Sequence, residues 1–256
     1  MKSLFVTSKD GTRIAYDVTG EGPPLMLLHG AGKTRHDWHA VGYVQRLKKD
    51  FTVITVDIRG TGESDQRFDV RDYAIESICA DLTMVADACH AEQFSVWGFS
   101  FGGNVARYLG AWTNRVIALA IIGIPFGRAV DEKFDRYIAE LTKKWEPAVR
   151  DYNNGKLSEK ERKEIRKRQL PVWLPCFQAM RDWPSIEPTD IHCAMMLLLG
   201  TKNKDMVNWV KANREVLEKA RTRIEISEGL NHNQEFTEID RVFPIVSAFL
   251  KSPGLS

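Results

Sequence analysis

The chain has 256 residues, 43% of them hydrophobic and 27% charged, which suits one large globular domain or a domain carrying an insertion and excludes a disordered or fibrous protein. Its formal net charge of +2 is too small to point to nucleic acid or an anionic membrane as a partner. No stretch approaches the roughly 20 apolar residues of a membrane span, residues 1–7 turn polar without a signal-peptide core, and four scattered cysteines form no Cys-x-x-Cys pair, so a cytoplasmic protein with reduced thiols is expected.

Residues 4–18 alternate in polarity around Asp10-Gly11, which predicts two strands joined by a hairpin turn. Leu25-Met26-Leu27-Leu28 is an apolar strand running into His29-Gly30-Ala31-Gly32. A helix is predicted over 37–48, then a buried strand over 53–56 ending at Asp57 and a Gly-rich turn over 58–64. Residues 72–90 carry Ile75, Ile78, Leu82 and Val85 at helical spacing. Residues 94–97 read as a buried strand and 104–109 as a helix. Strands over 118–122, 194–199 and 223–227 and helices over 206–220 and 238–250 complete the alternation.

Strands apolar throughout and alternating with helices predict an α/β fold, a mostly parallel sheet covered on both faces. Ligands bind such sheets outside the carboxyl ends of the strands. Those ends carry the segment 29–31, Asp57, Ser100 and the loops 200–205 and 228–232. Residues 125–190 break the alternation. Phe134, Ile138, Leu141 and Trp145 form an amphipathic helical stripe, Ser158 and Glu161 a capping box before a strongly charged helix, and Trp173, Phe177 and Trp183 follow among prolines. The expected division is a core of residues 1–124 and 191–256 with a helical cap inserted over 125–190.

The chemistry centres on Gly98-Phe99-Ser100-Phe101-Gly102-Gly103, a Gly-x-Ser-x-Gly between a predicted strand and a predicted helix. That context makes it a nucleophile elbow: the tight turn projects Ser100 Oγ and sets the Phe101 N–H at a helix N-terminus. Serine needs a base to take its proton. His232, in the loop after the last strand, is the candidate. His29 is expected to hold its loop by hydrogen bonds, and His36 and His39 to be a surface pair. The third member should be a carboxylate after the strand ending at Leu199, where Asp205 stands in the loop; it is equally suited to capping the next helix. Asn203 also has the place to orient the histidine, without charge. The Ala31 and Phe101 N–H groups are the candidate oxyanion donors. Asp57, with Arg59, Gly60, Gly62 and Ser64, is expected to build a buried turn.

Taken together, His29-Gly30-Ala31-Gly32, Asp57-x-Arg59-Gly60-x-Gly62-x-Ser64, Gly98-x-Ser100-x-Gly102-Gly103 and Gly229-x-x-His232 resemble the α/β-hydrolase family. The resemblance implies an eight-stranded, mostly parallel sheet with a cap, acyl-type hydrolysis of a small-molecule substrate and no cofactor. Ser100 stands where epoxide hydrolases and haloalkane dehalogenases of the family carry Asp. One departure is visible: the family's Gly-x-x-Asp after the seventh strand reads here with Asn203 in the aspartate position. The expectation is a serine hydrolase of a small, fairly apolar ester, thioester or lactone. The alternatives are a weakly catalytic or ligand-binding protein on the same fold, or a perhydrolase or carbon–carbon bond hydrolase sharing the same constellation.

Overall fold

The computed structural model describes residues 3–152 and 156–252. Met1 and Lys2 of the polar N-terminus, and residues 153–155 of the expected insertion, lie outside the described residues. The sheet has eight strands: β1 (Leu4–Thr7), β2 (Arg13–Thr19), β3 (Pro24–Leu28), β4 (Thr52–Val56), β5 (Phe94–Phe99), β6 (Val116–Ile122), β7 (Ala194–Gly200) and β8 (Arg223–Ser227). They lie in the order β1-β2-β4-β3-β5-β6-β7-β8. β1 and β2 form the predicted hairpin, β2 joins β4 antiparallel, and every later pairing is parallel.

Both faces are covered because alternate residues of each central strand enter different cores. Met26 and Leu28 of β3 pack with α3 (Ile75–Ala88) and α4 (Phe101–Trp112). Leu25 and Leu27 pack instead with α1 (Arg35–Val41), α2 (Tyr43–Leu47) and, later in the chain, the C-terminal helix over Ile239–Lys251. The single helix expected over 37–48 is two. Gly42, at φ 98°, closes α1 as its left-handed cap, donating to His39 O and Trp38 O, and the chain restarts as α2.

Between β6 and β7 lie α5 (Glu132–Arg150), α6 (Glu159–Lys167) and α7 (Leu170–Ala179). Ser158 and Glu161 form the predicted capping box of α6. A small separate core joins Leu141, Ile165, Leu170 and Leu174. Trp173 and Trp183 are also buried and pack on Phe101 of α4, at ring separations of 5.1 and 6.1 Å. The predicted helix over 206–220 is likewise two, α8 (Lys204–Ala212) and α9 (Arg214–Lys219), with Asn213 between them. A four-residue helix, α10 (Gln234–Thr237), precedes α11 (Ile239–Lys251). No helix among the described residues is long and apolar enough to cross a membrane.

Candidate active site

Ser100 follows β5 and is the N-cap of α4, at φ 52° and ψ −116°. A non-glycine residue adopts a positive φ only at an energetic cost, and the surrounding backbone holds it there: Ser100 N–H donates to Ile122 O at 3.0 Å, and Ser100 O accepts from Asn104 N–H at 2.9 Å. The turn requires close backbone approach. A Cβ on Gly98 would lie 2.5 Å from Gly102 O, and one on Gly102 would overlap the Leu28 carbonyl.

The serine meets the histidine that the sequence singled out. His232 Nε2 lies 2.9 Å from Ser100 Oγ, and the imidazole stacks on the Phe99 ring with centroids 5.1 Å apart and planes 24° apart. The other ring nitrogen, Nδ1, lies 2.9 Å from Glu235 Oε2. Because Glu235 is acceptor-only when ionised, Nδ1 carries the proton and Nε2 is left to accept from Ser100.

The carboxylate beside His232 is therefore Glu235, where the sequence pointed to Asp205. β7 ends at Gly200 and the chain turns at once, with Asn203 N–H donating to Gly200 O at 3.0 Å. Asn203 stands at the N-cap position of α8 without a side-chain capping bond, and Asp205 lies in the first turn of that helix with an 81% exposed side chain, paired to Lys133 at 3.0 Å. Glu235 is buried. Its Oε1 accepts from Gly200 N–H at 2.8 Å and from Asn203 Nδ2 at 3.0 Å. Asn203 Nδ2 is also 3.4 Å from His232 Nδ1. Sequence reasoning missed Glu235 because the acid was sought after β7. The available signal was local: a Glu three residues after the histidine, brought to the same side by one turn of helix.

The remaining predicted residues fall as follows. Phe101 is the first residue of α4, whose N–H has no intrahelical acceptor. Ala31 and Phe101 both line, with Ser100, a cavity of about 320 Å³. Phe134, Phe177 and Met180 from the segment between β6 and β7 line it too. His29 is fully buried: its Nδ1–H donates to Gly30 O at 2.9 Å, and Nε2 accepts from Ile58 N–H at 3.2 Å. Burial pulls its pKa below the ordinary histidine value, so it braces the loop as a neutral ring. His39 does not simply pair with His36; its Nε2 lies 3.0 Å from Asp17 Oδ1. Asp57 accepts from the N–H groups of Arg35 at 2.7 Å and Glu63 at 2.9 Å and pairs with the Arg35 guanidinium, while Arg59 pairs with Asp81 and Asp10.

A mostly parallel sheet with a strained serine at the strand-to-helix turn after β5, aligned with an imidazole and a carboxylate from the segment between β8 and α11, has the layout of an α/β-hydrolase fold. The family model for the alpha/beta hydrolase fold matches residues 23–163, and the chain belongs to that family. Among curated relatives, epoxide hydrolase 4 of Homo sapiens is 29% identical over 143 residues, covering 54% of this chain and 39% of that protein. The chain thus matches about two fifths of that relative's length. Among solved structures, an epoxide hydrolase from Vigna radiata superposes with a TM-score of 0.75 at 17% identity, covering 98% of both chains. A thermophilic esterase from Thermogutta terrifontis gives 0.76 at 20% identity, covering 99% of both. At these identities the structural likeness speaks for the fold alone.

Proposed function

We propose that the protein is a serine hydrolase that cleaves a small ester, thioester or lactone through an acyl-enzyme on Ser100. The observation that carries this reading is the line Ser100 Oγ, His232 Nε2, His232 Nδ1, Glu235 Oε2, with 2.9 Å at each of its two contacts. Ser100 Oγ attacks the carbonyl carbon while His232 Nε2 takes the hydroxyl proton. The negative oxygen of the tetrahedral intermediate is held by the Ala31 and Phe101 N–H groups. His232 gives its proton to the leaving alcohol or thiol as the carbon–heteroatom bond breaks. Water then attacks the acyl-serine with His232 again as base, releasing the acid and restoring Ser100. Glu235 holds the imidazole in the required tautomer and offsets its charge when it is protonated. The segment 125–190 acts as the cap, its apolar residues forming the roof of the cavity and so setting which acyl or alcohol groups fit.

The epoxide hydrolases among the relatives favour a second reading, ring opening of an epoxide. The residue at the elbow weighs against it. A carboxylate that attacks an epoxide carbon leaves an ester, which water can cleave. Ser100 would leave an ether, which has no carbonyl for water to attack. The Ser–His pairing and the carboxylate at its far end also weigh against a purely ligand-binding protein.

The test is intact-mass detection of fluorophosphonate labelling, comparing the native protein with Ser100→Ala and His232→Ala and followed by a panel of esters and epoxides. One adduct that both substitutions abolish, with ester turnover and no epoxide turnover, is expected. Folded protein that takes no label would overturn the serine mechanism.

A further inference from the structure

Among the described residues three arginines are buried, and their surroundings differ. Arg35 meets Asp17, Asp57 and Glu63, and Arg59 meets Asp81 and Asp10. A guanidinium removed from water needs such partners to replace its lost hydration. Arg107, only 1% exposed, makes no direct ion pair among the described residues, and Glu187 reaches it only as a charge at longer range. Its Nη1 donates to Pro125 O at 2.9 Å, the Tyr108 ring lies 5.5 Å from its guanidinium carbon, and its Nε–H has no acceptor. Burial lowers its pKa from the ordinary arginine value, and the opposing influence of Tyr108 and of the Glu187 charge offsets that only in part.

The place of this arginine gives it meaning. Arg107 lines the same cavity of about 320 Å³ as Ser100. Ser100, Asn104 and Arg107 are spaced by four and then three residues, so they share one face at the start of α4. Asn104 Nδ2 donates to Ala129 O at 3.3 Å, and its buried Oδ1 has no partner. Arg128 lines the cavity from an exposed position and makes no ion pair among the described residues. The cavity's one carboxylate, Asp131, is engaged in capping α5, where it accepts from Phe134 N–H at 2.7 Å. The pocket beside the serine therefore has two cations against one carboxylate and otherwise mainly apolar walls.

We propose that the substrate carries a carboxylate: its ester carbonyl sits at Ser100 and its free carboxylate is held by Arg107, with Arg128 adding positive field. This rests on the serine-hydrolase reading and narrows it. The backbone of Arg107 lies about 10 Å beyond that of Ser100 along the helix axis, at 1.5 Å per residue, and helical side chains lean back toward the N-terminus, so a spacer of a few carbons suits the two groups. Asn104, one turn nearer the serine, leaves an acceptor for a hydroxyl on that spacer. An Arg–carboxylate contact in a largely apolar pocket discriminates strongly, because a neutral ligand would leave the buried cation unmet.

The experiment compares 4-nitrophenyl monoesters of glutaric, adipic and pimelic acids with neutral 4-nitrophenyl esters of matched length, using the native protein, Arg107→Met, Arg107→Lys and Arg128→Gln. For at least one chain length the native protein should favour the monoester by about tenfold or more in kcat/KM. Arg107→Met should lower that ratio by about 10²-fold, Arg107→Lys by less, and Arg128→Gln by only a few-fold. Equal turnover of charged and neutral esters, or a ratio that Arg107→Met leaves alone, overturns the proposal. If Arg107→Met does not fold, a ratio that falls in Arg107→Lys and with added salt supports the proposal, and a ratio unchanged by both overturns it. Fluorophosphonate labelling reports the serine separately, so labelled protein with no charge preference refutes the carboxylate site and leaves the hydrolase standing. If no ester is cleaved and Ser100 takes no label, calorimetry with adipate decides: a Kd raised about tenfold or more in Arg107→Met supports the anion site, and equal Kd values refute it.

Discussion

The side-chain amide of Asn203 lies 3.0 Å from Glu235 Oε1 and 3.3 Å from Oε2, so a residue of the turn after β7 holds the carboxylate that follows β8. The sequence showed Asn203 as a gap in the usual pattern. In three dimensions it supplies donors to an acid that has come from elsewhere. An acceptor-only group at 203 would set two carboxylates against each other.

Asn203→Asp tests that arrangement. The added negative charge beside the imidazole favours its protonated form, so the acid limb of kcat/KM should move to higher pH. Like charges also raise the pKa of the pair formed by the introduced carboxyl and Glu235 above its unfolded value. Such a pair supports folding while it still holds its shared proton and loses that contribution as pH rises through the raised value. Thermal denaturation across pH should therefore show the variant falling increasingly below the native protein from mildly acidic to alkaline solution. A parallel pair of curves would mean that position 203 does not contact the acid electrostatically.

Glu235→Gln keeps the shape and removes the charge. If Glu235 holds His232 in the productive tautomer, kcat on an activated ester should fall by about 10²- to 10⁴-fold. Asp205→Asn should stay within about threefold of the native rate, since that side chain is 81% exposed and, among the described residues, pairs only with a surface lysine. Steady-state rates on one ester separate the two residues. The reverse ranking would return the role to Asp205.

These cases show how far the sequence could be read. Ser100 and His232 were legible because a Gly-x-Ser-x-Gly and a loop histidine both fall at carboxyl ends of apolar strands, and a parallel sheet brings those ends together. The Asp57 turn and the bracing role of His29 were legible for the same reason. Glu235 was not, since α10 has only four residues and shows no period. Gly42 and Asn213 each split a helix whose apolar spacing runs on across the break, so the spacing alone concealed them. Arg107 was hidden inside an ordinary helical pattern. Only packing shows that it lacks the carboxylates that Arg35 and Arg59 have.

Gly123 follows β6 with φ at 77°, and a Cβ there would overlap Glu235 Oε2 and lie 2.7 Å from His232 Nδ1. Gly123→Ala thus combines backbone strain with displacement of the acid–imidazole contact. The expected result is a loss of about 1 kcal/mol or more in stability together with a drop in kcat of at least about tenfold. Chemical denaturation and ester kinetics on the same preparation test both. Lost stability with full activity would show that the loop relaxes without moving His232.

Far from the serine, Asp17 should set part of the acid sensitivity. Burial pushes its pKa up, but the hydrogen bond with His39 and the charges of His39 and Arg35 outweigh that and hold it below the ordinary carboxylate value. Arg35 Nε is 3.2 Å from Asp17 Oδ2 and His39 Nε2 is 3.0 Å from Oδ1. A carboxylate with a depressed folded-state pKa contributes stability at pH values above its unfolded pKa, near 4, and loses it as pH falls through the lower folded value. Asp17→Asn should therefore lower the melting temperature at neutral pH and flatten its decline below about pH 4, where the native protein loses the same contribution. Melting curves recorded from pH 7 down to 3 check this, and a decline in Asp17→Asn as steep as the native one would assign the acid sensitivity to other carboxylates such as Asp10, which pairs with Arg59 and is also held below its ordinary value.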